Sequence, residues 1–278
     1  MGVVLTGFAD EIGPDPQLQI DTLSAVDVRF LELRAVAGKG VLDLDADEAA
    51  AFKRALDAAD IGVSSIGSPI GKVQVRSDLD AHFARFRIAV ESAQFFGARY
   101  VRVFSFYHEG EEASACREEV IDFFHRMVDV AESANVVLLH ENESHIYGDV
   151  PTRCADLLEV VSRRALRSAF DPANFIQVGV DPLRDAWPLL KDRTDYFHIK
   201  DALAGSRAVV PAGYGDGGLE AILRDAVDSG FSGFLSLEPH LKAEDPLHGG
   251  DGPERFIKSV TALREVLERA GIEEVHRV

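Results

Sequence analysis

Short apolar runs alternate with helical patterns along the whole chain. Eight of these runs are rich in β-branched and aromatic residues and have the length of buried strands. They are VVLTGF near Val3, VRFLEL from Val28, IGVSSIG from Ile61, ARYVRVFSF from Ala98, NVVLLHE from Asn135, LRSAFD from Leu166, DYFHIK from Asp195 and GFLSLE from Gly233. Successive runs start roughly 25 to 40 residues apart, which is the repeat of a strand, a crossover helix and the next strand.

The segments between the runs have helical periodicity. The last is the clearest, with an apolar face formed by Phe256, Val260, Leu263 and Leu267. Pro253 suits the first turn of that helix, where its missing N–H is not needed. Helices often end in a left-handed residue, most often glycine or asparagine. The residues expected in that role are Gly62, Gly97, Asn135 and Gly230.

The chain of 278 residues thus contains eight predicted parallel βα units, which indicates an α/β fold. We predict a (β/α)8 barrel, or TIM barrel, as a single domain over residues 1–278. A doubly wound open sheet is the alternative, but no GxGxxG follows the first strand. No apolar stretch is long enough to span a bilayer.

Net charge and cysteine content limit the classes of binding partner and the cellular compartment that fit this chain. The formal net charge of −18 works against binding nucleic acids or acidic membranes, which require a basic face. The expected partner is therefore a small molecule, and a homo-oligomer is left open. The two cysteines, Cys116 and Cys154, lack metal-site spacing and fit a reducing compartment, so we expect a cytoplasmic protein.

Four of the predicted strands end at a residue that can bind a metal. These residues are Glu141 in LLHENE, Asp171 in SAFDPAN, His198 in YFHIKDA and Glu238 in FLSLEPH. The carboxyl ends of barrel strands share one rim, which is where barrel enzymes place their chemistry. Because side chains alternate along a strand, the inward set would include Tyr196, His198 and Lys200 on one strand. On the last strand it would comprise Phe234, Ser236, Glu238 and His240.

Three carboxylates and one imidazole form a hard, oxygen-rich ligand set. Such a set suits one divalent ion, with manganese favoured and magnesium, zinc or cobalt also accommodated. A metal of this kind can hold a carbonyl and an adjacent hydroxyl and stabilise the negative oxygen that forms when a neighbouring carbon loses a proton. Glu141 and Glu238 would face each other across the mouth, where one can accept a proton and the other return one.

The four strand ends as a set resemble the sugar phosphate isomerase/epimerase superfamily, also called xylose isomerase-like barrels. The resemblance covers essentially the whole chain and extends to LELR around Glu32 and to PAGYGDG. It implies a manganese-type site and assigns acid and base roles to Glu141 and Glu238. The chain departs from the ketose 3-epimerases of the superfamily at two places. Asn174 replaces a histidine, and only Arg207 approximates an arginine that follows the metal histidine.

Further candidate residues surround these four. The expected substrate contacts are Glu32, Ser68, Glu143, Asn174, Lys200, Arg207 and His240. For Lys200 and His240 the alternative is pairing with neighbouring carboxylates. For Glu32 it is a buried ion network with Arg34 and Arg102 under the site. His140 should face the helix layer. The glycine-rich residues 211–218 are expected to let the loop turn. The alternative is that their backbone N–H groups bind a phosphate.

These observations predict a divalent-metal-dependent isomerase or epimerase of a small ketose, keto acid or keto-polyol, phosphorylated or not. The reaction would proceed by proton abstraction next to a carbonyl. A metal-dependent dehydratase or lyase of an inosose or of dehydroshikimate is the alternative. A nuclease like endonuclease IV fits less well, because His82, His108 and His125 lie mainly in helices or distant loops. A noncatalytic sugar-binding barrel is the fourth hypothesis.

Overall fold

Eight parallel strands form the centre of the molecule. The structure is a computed structural model that describes residues 2–108, 110–245 and 248–277. The strands are β1 (Val4–Gly7), β2 (Phe30–Leu33), β3 (Gly62–Ile66), β4 (Tyr100–Val103), β5 (Val137–Glu141), β6 (Leu166–Phe170), β7 (Thr194–Ile199) and β8 (Phe234–Leu237). They are almost entirely buried, as expected for parallel strands covered by helices.

The strands follow one another around a barrel. Their hydrogen-bonded order is β1-β8-β7-β6-β5-β4-β3-β2, and every pair is parallel. The remaining gap, between β1 and β2, is bridged where Phe8 pairs with Glu32. This arrangement confirms the predicted (β/α)8 barrel. Seven of the eight strands lie inside the run predicted for them, and β7 begins one residue earlier, at Thr194.

Helices connect the strands and cover the outside of the barrel. They are α1 (Pro16–Ala25), α2 (Ala46–Ala58), α3 (Leu79–Phe96), α4 (Arg117–Ser133), α5 (Pro151–Val161), α6 (Pro172–Gln177), α7 (Trp187–Leu190), α8 (Leu219–Asp228) and α9 (Gly252–Ala270). Helix α9 begins with a capping box between Asp251 and Glu254 and has Pro253 in its first turn, as predicted. None of the described helices is long and apolar enough to cross a membrane.

Left-handed residues end several helices. Gly97, Asn135 and Gly230 have positive φ angles, as predicted. The prediction for Gly62 is wrong, because Gly62 is the first residue of β3 and the positive φ belongs to Asp60, at 55°. An aspartate tolerates this conformation because its short polar side chain can bond locally.

The barrel interior changes from apolar to polar along its axis. The lower layer contains Val4, Tyr100, Leu139, Ala169, Tyr196 and Phe234. Above it, hydroxyl groups form a chain in which Ser64 Oγ lies 2.8 Å from Thr6 Oγ1 and 2.9 Å from the Tyr196 hydroxyl. The inward positions predicted for Tyr196 and Phe234 are confirmed. Charged side chains occupy the upper end of the barrel, at the carboxyl ends of the strands.

Candidate metal centre

Four potential ligands meet at the upper end of the barrel. Glu141 ends β5, Asp171 follows β6 directly, His198 lies in β7, and Glu238 follows β8 directly. One ligand atom from each lies within 4.8 Å of those of the other three, and all four residues are buried. Oxygen ligands around a single ion with bonds near 2.1 Å lie about 3 to 4.5 Å apart, so the cluster has the size of a divalent metal site.

Unsatisfied buried atoms in the cluster also fit a metal. Glu141 Oε2, Asp171 Oδ2 and His198 Nδ1 are buried and make no hydrogen bond in the described part of the chain, although charged neighbours lie within ion-pair distance. Buried polar atoms without partners are rare in native proteins and often mark an ion or a catalytic role. One atom from each of three predicted ligands is thus available to a cation.

Glu32 orients the histidine from below. Its Oε2 lies 3.2 Å from His198 Nε2 and accepts hydrogen bonds from Tyr196 OH at 3.0 Å and Ser236 Oγ at 2.7 Å. A carboxylate on the far nitrogen is the usual way to fix the tautomer of a metal-binding histidine and leave its other nitrogen for the metal. Glu32 is fully buried and is not among the residues that line the cavity. The arginines of the alternative ion network pair with other carboxylates, Arg34 with Asp10, Glu11 and Glu238 and Arg102 with Glu141.

Cationic side chains compensate the carboxylates. Lys200 Nζ lies 2.8 Å from Glu238 Oε2 and 3.0 Å from Asp171 Oδ2, and Arg102 Nη1 lies 3.3 Å from Glu141 Oε2. Burial raises the pKa of Glu141, but His198 and Arg102 outweigh it and hold that pKa at about 2. Burial raises the pKa of Asp171 to about 7, a shift that the Lys200 ammonium only partly offsets. A divalent ion would stabilise the ionised form of Asp171.

His198 is held between two carboxylates. Burial lowers its pKa, but Glu141 and Glu32 outweigh burial and raise it to about 10. Since a metal binds only the neutral imidazole, a proton and a metal compete for Nδ1.

Asparagines position two of the ligands. Asn142 donates from Nδ2 to the Asp171 carbonyl at 2.8 Å, and its Oδ1 accepts from the Asp171 N–H at 3.0 Å. Asn174 donates from its backbone N–H to Asp171 Oδ1 at 3.0 Å and from Nδ2 to Glu141 Oε1 at 3.2 Å. Asn174 therefore lies in the place predicted for it but supports the ligands, and its contact with a substrate stays a prediction.

A cavity of about 490 Å³ opens above the cluster. Five of the predicted site residues line it, namely Glu141, Glu143, Lys200, Glu238 and His240. Ser68 is buried beside it and donates from Oγ to the Arg102 carbonyl at 2.5 Å. Arg207 lies on an exposed turn after residues 201–202 and is not among the lining residues. Lys200 and His240 both pair with neighbouring carboxylates, which was the alternative to a substrate contact. Lys200 contacts Asp171 and Glu238, and His240 Nε2 lies 3.2 Å from Glu11 Oε1.

Some lining residues had no sequence signal. Asp10 lies in a short 3-10 helix after β1, and Lys72 lies in the loop after β3. Glu11 joins Glu238 and His240 in a second group whose ligand atoms lie within 4.8 Å of one another. Asp10 and Glu11 follow the first predicted strand closely in the sequence, but acidic residues at strand ends are common without a function, so this position alone predicts no site.

The remaining histidines lie outside the cluster. His140 faces the helix layer, as predicted, with Nε2 3.0 Å from Ser105 Oγ and its ring against Phe124 of α4. His82 lies in α3, where its Nε2 accepts a hydrogen bond from the Gly71 N–H. His125 lies in α4, and His108 lies in the loop after β4.

The glycine-rich residues 211–218 wrap around a carboxylate of the chain itself. Asp201 accepts hydrogen bonds from the N–H groups of Gly213 and Gly215 at 3.0 Å and of Gly217 at 2.9 Å. It also accepts one from Ala202 at 2.9 Å. The phosphate alternative is wrong for the N–H groups of Gly213, Gly215 and Gly217, because Asp201 already occupies them.

Replacing Asp201 with asparagine should destabilise this loop. An amide loses the charge and turns N–H donors toward some of the four backbone donors, so we expect a loss of about 2 to 4 kcal/mol. Thermal unfolding and amide hydrogen exchange at residues 213–217 would measure it. Asp216→Asn is the matched control, because Asp216 is exposed and its carboxylate accepts one backbone bond, from Ala204. Equal effects of the two changes would contradict the assignment.

Comparison with known proteins agrees with this architecture. A family model described as xylose isomerase-like TIM barrel matches residues 20–272. No curated protein matches the chain significantly. Among solved structures, a D-tagatose 3-epimerase-like protein has a TM-score of 0.78 at 15% identity, covering 98% of each chain.

Two further structures are similar to the same extent. The probable 3-DHS dehydratase AsbF from Bacillus anthracis has a TM-score of 0.75 at 15% identity, covering 95% of this chain and 99% of its own. The IOLI protein, solved with a zinc atom bound, also has a TM-score of 0.75 at 15% identity, covering 97% and 99%. At this identity the likeness to solved structures concerns the fold, whereas the family model matches most of the sequence. The chain belongs to the xylose isomerase-like TIM barrel family.

Proposed function

We propose that this protein is a divalent-metal-dependent isomerase or epimerase that moves a proton next to the carbonyl of a small ketose, keto acid or keto-polyol. One observation carries the proposal. Glu141 and Glu238, from strands separated around the barrel, converge with Asp171 and His198, and both glutamates line the cavity. These four residues would hold the ion, and manganese is our preferred metal. When bound, the ion would supply a positive charge that stabilises negative charge developing on a substrate oxygen.

The two glutamates would move the protons. Burial raises the pKa of Glu238, but Lys200 and His240 outweigh it and lower that pKa well below its usual value. Glu141 is likewise held ionised, so each carboxylate is in the state that accepts a proton. A carboxylate on one face of a substrate can remove a proton, while a carboxylate on the other face delivers one after it has been protonated.

The surroundings of the two glutamates differ. His240 Nε2 lies 3.4 Å from Glu238 Oε1, and its side chain is 45% exposed. Burial lowers the pKa of His240 against the opposing effect of the Glu238 carboxylate, so the ring can take up and release a proton between Glu238 and solvent. Glu141 is enclosed by His198, Arg102 and Asn174. We therefore propose Glu238 as the glutamate that exchanges its proton with water.

A dehydratase is the second candidate, and Lys200 favours it. Its ammonium is a buried proton donor that lines the cavity beside Glu238. Loss of a hydroxyl requires such a donor near the leaving oxygen, whereas epimerisation does not. The same residues would perform the first proton abstraction in both reactions.

Incubation of the manganese-loaded protein in D₂O with ketoses, inososes and dehydroshikimate would test these functions. Deuterium at the carbon next to the carbonyl, together with a new epimer or isomer by NMR, would support the first. An ultraviolet-absorbing enone would support the second. Absence of both deuterium incorporation and product over this substrate range would contradict the proposal.

Replacing Glu141 with glutamine should abolish the proton transfer. The amide cannot accept the proton, so we expect the exchange rate to fall by about 10² to 10⁴-fold. Glu159→Gln, on the exposed side of α5, removes the same charge away from the cavity and should leave the rate unchanged. A Glu141→Gln protein with the wild-type exchange rate and full metal occupancy would refute the role of this carboxylate.

A further inference from the structure

The cavity lining differs in charge from the rest of the protein. Five basic side chains line it, namely Arg34, Lys72, Arg85, Arg102 and Lys200. Five acidic residues also line it, namely Asp10, Asp43, Glu141, Glu143 and Glu238. The lining is thus formally neutral in a chain whose net charge is −18. A bound divalent ion would make it positive, which favours an anionic ligand.

Three of the five cations are occupied by the protein itself. Arg34 contacts three carboxylates, those of Asp10, Glu11 and Glu238. Lys200 contacts two, those of Asp171 and Glu238. Arg85 pairs with Asp43 and donates to the Leu42 carbonyl. Each of these three side chains makes two or three contacts with carboxylate or carbonyl oxygens of the chain, whereas Arg102 and Lys72 each contact one carboxylate.

Arg102, beside Glu141, has N–H groups that make no hydrogen bond with a described residue. Its Nε and Nη2 donate to the carbonyls of Ser68 at 3.4 Å and Gly67 at 3.1 Å. Its Nη1 makes no hydrogen bond with a described residue and lies 3.3 Å from Glu141 Oε2 as an ion pair. The residue is 5% exposed, so the guanidinium is desolvated except where it borders the cavity. A planar guanidinium with free N–H groups is suited to a carboxylate or phosphate.

Lys72 shares an aromatic support with Arg102. Lys72 Nζ lies 4.3 Å from the centroid of the Phe104 ring, and Arg102 Cζ lies 4.9 Å from the same centroid. Lys72 Nζ donates to Glu143 Oε2 at 3.1 Å and keeps two further donors. Both cations thus line the cavity and lie against the same ring, Arg102 paired with Glu141 and Lys72 with Glu143.

The backbone holds Lys72 in this place. Phe104 N donates to the Ile70 carbonyl at 2.7 Å, and Phe106 N donates to the Gly71 carbonyl at 3.0 Å. The carbonyls before and after the Gly71 nitrogen, just ahead of Lys72, are thus hydrogen-bonded to residues that follow β4. A charged group supported in this way loses little freedom on binding a ligand.

We propose that Lys72 and Arg102 form an anion subsite beside Glu141, and that the substrate carries a carboxylate or a phosphate near its reacting carbonyl. This inference rests on the proposed function, because it names the class of substrate for the same site. It separates keto acids and phosphorylated sugars from neutral ketoses. The anion would bind to Nη1 of Arg102 and Nζ of Lys72, leaving Glu141 to face the carbon that loses its proton.

The test measures binding by calorimetry to the manganese-loaded protein, without turnover. The probes are inorganic phosphate, pyruvate and, as a neutral compound, dihydroxyacetone. We expect Lys72→Met to weaken binding of phosphate, of pyruvate or of both by about tenfold or more, the effect of losing a charge-assisted contact. Binding of dihydroxyacetone should be unchanged, and Lys72→Arg should retain most of the anion affinity. Dependence on Lys72 for phosphate alone would indicate a phosphorylated substrate, and for pyruvate alone a keto acid.

Lys53→Met is the matched control. Lys53 is 35% exposed and pairs with Asp57 on α2, whereas Lys72 is 34% exposed and pairs with Glu143 at the cavity. Anions that bind Lys72→Met as tightly as the wild type, or that do not bind the wild type at all, would overturn the subsite. Because binding is measured without reaction, this result is separate from the D₂O experiment. Proton exchange on a neutral ketose with no Lys72 dependence would leave the proposed function intact and reject the subsite.

Discussion

Glu238→Gln is expected to lose both the metal and the activity. The amide removes one of three anionic ligands from a cluster whose ligand atoms lie within 4.8 Å of one another. Changes to residues that only support a metal ligand already cost about 10 to 100-fold in affinity, so loss of a ligand should cost more than about 100-fold. Elemental analysis after dialysis and calorimetric titration with manganese would measure this. Asp171→Asn should behave in the same way.

Glu11→Gln is the control for this prediction. Glu11 contacts Arg34 and His240, as Glu238 does, but belongs only to the second group of ligand atoms, with Glu238 and His240. We expect this variant to keep its metal. Loss of metal in Glu11→Gln with full occupancy in Asp171→Asn would place the ion in the second group. Full occupancy in both Glu238→Gln and Asp171→Asn would refute the proposed centre, and circular dichroism would confirm that each variant is folded.

Gly71→Ala is expected to produce the largest loss of stability. Gly71 has φ +90°, and a Cβ atom there would lie 1.9 Å from the Phe104 carbonyl oxygen. The backbone conformation costs about 1 to 2 kcal/mol for a residue with a Cβ, and overpacking adds about 1 to 3 kcal/mol. We expect the free energy of unfolding to fall by about 2 to 5 kcal/mol, or the segment to detach from the residues that follow β4. Urea unfolding and hydrogen exchange would distinguish these outcomes.

Gly97→Ala separates the two contributions. Gly97 has φ +74°, and a Cβ atom there meets nothing within 4 Å. This variant should lose only the backbone contribution of about 1 to 2 kcal/mol. If Gly71→Ala and Gly97→Ala lost the same amount, the close approach to Phe104 would have no energetic importance. Detachment of the segment should also weaken anion binding, because it carries Lys72.

The strand ends could be predicted from the sequence because the pattern is local. Glu141, His198 and their equivalents each end or follow an apolar run, and alternation along a strand sets the direction of each side chain. The carboxyl ends of parallel strands lie at one rim of a barrel, so a correct strand count already brings distant residues together. No contact between particular side chains had to be known.

The supporting contacts could not be predicted in this way. Glu32 was expected as a substrate contact or as part of a buried network, and only the strand register places its carboxylate under His198. Asp201 lies in the same HIKD segment as His198, yet no local pattern shows that its carboxylate binds the loop of residues 213–217. Gly62 shows the same limit at a helix end, where the left-handed residue is Asp60.

The sequence by itself therefore determined the barrel, the rim and the four residues that can bind a metal there. Periodicity and strand order are sufficient for these, since they depend on the direction of each strand rather than on atomic distances. Only the tertiary structure decided which charges are already paired and which donors stay free. Arg34 and Glu238 are 204 positions apart, and their contact at 3.2 Å depends on the register of the barrel and the paths of its loops. The same is true of Lys72, which reaches the cavity through a loop bonded to β4.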